Sequence, residues 1–464
     1  MRFTQVGVGR TAAAALTVAV FFLTAAVFRP EPVSDFLYYW MVAGAPDLYH
    51  KGGVVGWLFA PVKAADIAPY WGAAALNTFV AILAIFAVLP AGGKRNSSIG
   101  LVSWIGAAVT VLAILVAAPA SALVATDLMA CGTFIVGMRL LLRAGGLPPR
   151  RLAVLAAVMA LGLSASLRPI YAPVMIVCGA ALMAIQCDIR VPDLPADRWT
   201  GRLRAAGFGA LLVCCALLAS NLLERGLLSH SRTNEYAPGV VRAVVSIGHD
   251  IGDGKDTCGQ WSESRARFGL ERRSEPLIPY ILERQREVGW LHLPALYACK
   301  VSRLISFRDW FGSWLQGSRN YSQDRILADS MGVDVSLVDE AARQSHVFRS
   351  DAAQQAYTER ARLVSRVSAW IGGILQGLVL LYLLASTVAL ARERSIAFGL
   401  YALGVSLLPA VALIVLHGVF FEVQARYAFP IWVLPPVFMA LIRRVSNSAS
   451  SAAAAAGPAA PDVV

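Results

Sequence analysis

SAWIGGILQGLVLLYLLASTVALA (residues 368–391) runs for 24 positions without a charged side chain. Wound as an α-helix it is about 36 Å long, enough to cross roughly 30 Å of hydrocarbon. Toward the C-terminus, similar runs follow at 396–418 and 429–442. Toward the N-terminus they stand at 11–28, 71–91, 99–118, 122–142, 151–167, 170–187 and 205–223. The expected fold class is therefore an all-α integral membrane protein with about ten transmembrane helices. Composition agrees: 57% of the 464 residues are apolar types and 15% are charged, with a mean hydropathy of +0.60. A water-soluble chain this apolar would expose large greasy patches, so the bilayer is its natural solvent.

The net charge of +12 does not point to nucleic acid, because the basic residues sit in short segments between apolar runs. Lys94 and Arg95, then Arg139, Arg143, Arg150 and Arg151, then Arg190, Arg198, Arg202 and Arg204 fall on one side, with Arg392, Arg394, Arg443 and Arg444. Arg29, Lys51, Lys63, Arg168 and Arg426 fall on the other. The positive-inside rule then predicts cytoplasmic N- and C-termini. Arg2 and Arg10 before the first run resemble a signal peptide, but the run is long for one, so an uncleaved span is expected.

Four parts follow from this topology. Residues 1–224 form an N-terminal transmembrane module whose first outer loop covers 29–70. Residues 225–366 form a large, mostly helical periplasmic segment, too polar to cross a membrane. Within it, WLHLPALYACKVSRLISF (290–307) places Leu293, Tyr297, Val301, Leu304 and Ile305 on one helical face and predicts an interfacial helix. Residues 367–445 form the C-terminal transmembrane helices, and the Ala-rich tail 446–464 is expected to be disordered. In the first outer loop, the aromatic residues Tyr38, Tyr39, Trp40 and Trp57 suit short helices at headgroup depth. Of seven cysteines, only Cys258 and Cys299 lie in the polar segment, and whether they pair is left open.

Ionisable residues at the edge of apolar runs carry the functional reading, since burying charge without purpose is costly. Asp35, in SDFLYYW, could serve as a general base, as a metal ligand or as a helix N-cap. Asp127, in ATDLMA, could share a cation with Asp35 or begin the next helix, where its charge suits the dipole. Arg168 precedes Pro169 on the side poor in basic residues and could meet an anion or snorkel to the headgroups. HGVFFEVQARYAFP (417–430) compresses His417, Glu422, Gln424, Arg426 and Tyr427 between two spans. There Arg426 offers a planar fork for a phosphate, or an i, i+4 ion pair with Glu422. His50 and His249 are weaker candidates. SIGHDIGDGKDTCG lacks the GxxxxGK[ST] spacing of a phosphate loop, leaving Asp250, Asp253 and Asp256 as cation candidates.

Three stretches resemble the multispanning glycosyltransferases of the C superfamily, relatives of protein O-mannosyltransferases and aminoarabinose transferase. They are SDFLYYW followed by APDLYHKGG, then LGLSASLRPIYAP, and FEVQARYAFPIWVLPP. The resemblance implies a polyprenyl-phosphate-linked sugar donor and an acceptor that is a glycan, a lipid or a protein. It implies Asp35 as catalytic base and Arg426 on the donor phosphate. With it go Arg168 and Lys51 on the phosphate, and Tyr38, Tyr39, His50, Glu422 and Tyr427 near sugar or acceptor. A divalent cation, magnesium or manganese, held by Asp35 and Asp127 is allowed for, although the first loop lacks the family's acidic pair. The expected location is a bacterial inner membrane with the active site periplasmic. Two other readings stand beside this one. An O-antigen polymerase or ligase would use Arg265, Arg267, Arg272, Arg273, Arg284 and Arg286 of the outer segment on a diphosphate-linked glycan. A transporter or flippase would want broken spans and charges at mid-bilayer depth.

Overall fold

In a computed structural model, residues 5–30, 39–40, 43, 54–89, 98–123, 125–145, 151–190, 198–227, 233–251, 258–259, 262–306 and 350–456 are described, with scattered positions between 325 and 340. Every regular element among them is helical.

The chain opens with α1 (Gln5–Phe28), the short α2 (Val54–Ala64) and α3 (Pro69–Val88). Then come α4 (Ser98–Leu115), a one-turn α5 (Ala118–Ser121), α6 (Asp127–Ala144), α7 (Arg151–Leu167), α8 (Tyr171–Arg190) and α9 (Arg198–Leu227). The polar segment supplies α10 (Thr233–Gly248), α11 (Glu263–Glu271), α12 (Leu277–Val288) and α13 (Leu293–Ile305). The chain returns through α14 (Asp351–Glu393), α15 (Ile396–Val415) with a π-helical end at Leu416–Phe420, a 3₁₀ turn at Ala425–Tyr427, and α16 (Ala428–Ala456).

Each of the ten apolar runs carries a helix over most of its described residues, and seven helices among the described residues are long and apolar enough to cross a membrane. These are α1, α3, α8, α9, α14, α15 and α16. The helices α4, α6 and α7 are shorter, at 18, 18 and 17 residues. The outer surface is greasy, as lipid contact requires: Leu23 (66% exposed), Leu155 (61%), Leu211 (63%) and Leu381 (65%) point away from the bundle.

The centre of the bundle is α16: 83% of its most apolar 18-residue stretch is buried, against 22% for those of α1 and α9. It packs on α15, α4 and α14, while α6 packs on α7 and α3, and α8 on α9. Small residues permit these approaches without any hydrophobic drive between helices in lipid. A Cβ on Gly209 would stand 2.5 Å from the Gly179 carbonyl oxygen, so α8 and α9 meet there backbone to backbone. Asn77, fully buried in α3, donates to the Ser121 carbonyl at 2.9 Å and ties the span to the hairpin before α6.

Three expectations change. The span at 368–391 is the second half of α14, a 43-residue helix about 65 Å long that runs out of the bundle into the polar segment. Ser350 caps it, accepting from the Ala353 amide at 3.1 Å. Second, the tail expected to be disordered from Ser446 stays helical to Ala456. Alanine is the best helix former, and extending an existing helix needs no new nucleus; residues 457–464 lie outside the described residues. Third, α13 is rotated so that its apolar face is divided: Leu293 and Leu304 are buried with Leu296 and Lys300, while Tyr297, Val301 and Ile305 are not. That rotation is set by a partner found for Lys300. Cys258 and Cys299 are joined in a disulfide, which the sequence left open.

Candidate functional site

Of the residues singled out above, Asp35, Tyr38, His50 and Lys51 lie outside the described residues, as do Asp253 and Asp256. Asp127, Arg168, Glu422, Arg426 and Tyr427 are described, and they meet at one end of the bundle.

Local rules put each in place. Asp127 starts α6, where the helix dipole favours an acid. The preceding Thr126 makes no side-chain cap, so the carboxylate is left to look outward from its own helix. Arg168 follows α7 directly, because Pro169 denies the helix a further donor. Its amide still bonds back to the Ser164 carbonyl at 3.0 Å, and its side chain swings across to α6. Arg168 Nη2 donates to Asp127 Oδ2 at 2.6 Å, with the two side chains only 13% and 15% exposed. That is a buried ion pair rather than a snorkelling arginine.

Arg426 arrives from the far end of the sequence on the 3₁₀ turn before α16. Its Nη1 stands 3.9 Å from the same Asp127 oxygen, and its side chain is 5% exposed. One carboxylate thus sits between two guanidinium groups. The Arg426 guanidinium also lies over the Tyr427 ring at 5.2 Å. On that ring His417 stacks at 4.0 Å between centroids. Glu422, buried, accepts from Gln424 Nε2 at 2.7 Å and from the Tyr427 hydroxyl at 3.1 Å. His417 Nδ1 is 3.1 Å from the Glu422 carbonyl oxygen. Tyr39, 1% exposed, lies within electrostatic reach of Arg168 and brings the first outer loop to the cluster.

The expectation that Asp127 binds metal meets a different chemistry, since its carboxylate is engaged by Arg168. Among the described residues no three His, Cys, Asp or Glu side chains gather to hold an ion. Asp35, the expected partner of Asp127 in holding a cation, lies outside the described residues, and no step below runs through a metal. Asp250, the described member of the loop aspartates, faces Arg265 at 3.5 Å.

Lys300 is the functional-site neighbour that sequence reasoning missed. It is fully buried on α13, and its Nζ donates to the Gly248 carbonyl at 2.8 Å. Burial pulls its pKa down to about 7, and Glu422 pulls in the opposite direction. The adjacent His249, also buried, is held near 4 by burial. The signal is spacing: 293, 296, 300 and 304 share a helical face as well as 293, 297, 301, 304 and 305 do, and the polar end of Lys300 masks it. A tether secures this contact. The Cys258–Cys299 disulfide ends one residue before Lys300, and the Gly259 carbonyl accepts the Val423 amide at 2.8 Å. The polar segment is therefore bonded directly to the 421–427 stretch that carries Glu422 and Arg426.

Ala117, Ala120, Leu123, Ala125, Leu128 and Phe429 wall a cavity against Asp127 and Arg426 of about 20 Å³, room for roughly one water. What the arrangement offers chemically is a largely buried site in which two guanidinium groups share a carboxylate.

No family model, no curated protein and no solved structure matches the chain.

Proposed function

We propose that the chain is a membrane glycosyltransferase that moves a sugar from a polyprenyl-phosphate donor to a glycan, lipid or protein acceptor at the outer face of a bacterial inner membrane. One observation carries this reading: Arg168 and Arg426, 258 positions apart in sequence, converge within 4 Å of a single carboxylate oxygen at one end of an apolar bundle. Guanidinium forks match phosphate as well as carboxylate. A donor phosphate would displace Asp127 and inherit its partners, exchanging one anion for another without leaving a buried cation unpaired. The isoprenoid tail would stay in lipid beside the bundle.

In this mechanism Asp35 takes the proton of the acceptor hydroxyl as its oxygen bonds to the anomeric carbon. The bond from that carbon to the phosphate oxygen breaks on the opposite face, through an oxocarbenium-like state. Arg168 and Arg426, with Lys51, offset the charge that develops on the leaving phosphate. One displacement inverts the anomeric centre. Glu422, Tyr427, Tyr38, Tyr39 and His50 belong to sugar and acceptor recognition.

The topology proposed with it has ten spans, cytoplasmic termini and a periplasmic 225–366 segment. The Cys258–Cys299 disulfide supports the last point, because disulfides persist in oxidising compartments. The polymerase or ligase alternative draws less support. Arg265, Arg267, Arg272 and Arg284 of the outer segment face acids of their own: Asp250, Glu263, Glu283 and Glu287.

The test is transfer from synthetic polyprenyl-phosphate sugars in proteoliposomes, comparing the wild type with Asp35→Asn and Arg426→Ala. Loss of transfer in both with retained folding is expected. Full activity in both removes the mechanism, and transfer only from diphosphate-linked glycans favours the alternative.

A further inference from the structure

A second cationic site lies at the opposite end of the same helices. On α16, Arg444 is 18 residues beyond Arg426, about 27 Å along the axis; on α6, Arg143 is 16 residues beyond Asp127, about 24 Å. These are the distances across a hydrocarbon core, so one end of the bundle meets each headgroup layer.

At this end Arg10 of α1, Arg139 and Arg143 of α6, and Arg444 of α16 come together. Arg139 feels the charges of Arg444 and Arg143, and Arg444 feels those of Arg143 and Arg10. Arg444 Nη1 donates to the Ala87 and Leu89 carbonyls at 3.0 and 2.9 Å, and Arg10 Nη2 reaches the Leu89 carbonyl at 3.5 Å. Those carbonyls end α3, whose dipole supplies about half a negative charge against four guanidinium groups. The Nε atoms of both Arg10 and Arg139 are buried with no hydrogen-bond partner among the described residues.

Arg443 shows what a balanced arginine looks like here: it is buried, but it reaches Glu393 at 3.3 Å and the Ser386 carbonyl. No described acid plays that part for the other four. The segments that follow Leu89 and Gly145, residues 90–97 and 146–150, contain no acid and add Lys94, Arg95 and Arg150. A positive-inside signal alone needs exposed cations in loops, whereas Arg10, Arg139 and Arg444 are half-buried and come from three helices.

We propose that Arg10, Arg139, Arg143 and Arg444 form a binding site for a phosphate group at this end of the bundle. Its carrier is the headgroup of an anionic lipid, or free phosphate. The site is separate from the Asp127–Arg168–Arg426 cluster, and the inference does not depend on the transferase reading. Lipid chains would lie against the exposed apolar flank of the bundle while the phosphate enters between α1, α6 and α16, as basic pockets between spans hold acidic headgroups.

The test is native mass spectrometry of the full chain in detergent, titrated with phosphatidylglycerol or phosphatidylcholine, with inorganic phosphate as competitor. Phosphatidylglycerol should bind and phosphatidylcholine should not. Each guanidinium removed should weaken binding about fivefold. Arg143 is exposed and its loss does not threaten packing, so Arg143→Gln should give that fivefold, and Arg139→Gln/Arg143→Gln about twenty-fivefold. Arg202→Gln removes an equal charge at the same end from an ion pair with Asp188 and should change nothing. Competition by millimolar inorganic phosphate identifies the free anion as a ligand; no competition identifies the intact headgroup. Equal binding of the two lipids, or unchanged phosphatidylglycerol binding in Arg143→Gln and the double variant, overturns the proposal.

Discussion

Asp127→Asn gives the sharpest reading of the candidate site. The substitution preserves shape but removes the carboxylate that, among the described residues, lies between Arg168 at 2.6 Å and Arg426 at 3.9 Å, with all three side chains at or below 15% exposure. Breaking a buried pair by removing one partner costs about 3–5 kcal/mol, because the surviving cation stays desolvated. Two cations survive here, so the upper half of that range is expected. In an Arg168→Gln background the same change removes only the longer contact to Arg426, and the cost should fall by about 2 kcal/mol, within the range for coupled neighbours. Reversible unfolding in mixed micelles, followed by tryptophan fluorescence across the four-member cycle, measures the coupling. Additive costs within about 0.5 kcal/mol, or a loss below about 1 kcal/mol for Asp127→Asn alone, would refute the claim that this carboxylate neutralises both arginines.

Further outcomes can be checked on the same protein. Folded Lys300 releases its proton near pH 7, while an ordinary lysine holds it to 10.5. The unfolded chain therefore binds more protons between those values and stability should rise with pH across that window; Lys300→Met should flatten the slope in a pH series of unfolding midpoints. His249, held near 4 against 6.5, adds a rise between those two values that His249→Gln removes. Cys258→Ser/Cys299→Ser opens a tether spanning 41 residues and should cost about 4 kcal/mol on loop entropy, seen as faster proteolysis of the outer segment. Gly248→Ala would set a Cβ 2.5 Å from the Phe421 carbonyl carbon and 3.0 Å from the Glu422 amide nitrogen. A cost of about 1–3 kcal/mol is expected, with a loss of transfer activity larger than that of Gly239→Ala on the same helix.

Sequence periodicity and hydropathy were enough for the helices, because a backbone in hydrocarbon must bond within its own segment and twenty apolar residues leave it one way to do so. Arg168 before Pro169 and Arg426 before the last span were readable as candidates for the same reason: charge beside an apolar run is costly and therefore conspicuous. Pairing was not readable. Nothing local tells Asp127 that a partner for its carboxylate, Arg168, stands 41 positions away. Lys300 was hidden by its own chemistry, since a lysine on a helix face ordinarily turns to water. Only the Gly248 carbonyl, brought within 2.8 Å by α10 and fixed by the Cys258–Cys299 bond, turns it inward. The sequence by itself determined a helical chain with runs long and apolar enough to cross a membrane, and which charges stand beside those runs. The tertiary structure decided which charges neutralise one another, because electrostatic partners are chosen by distance in space, and helix packing sets that distance.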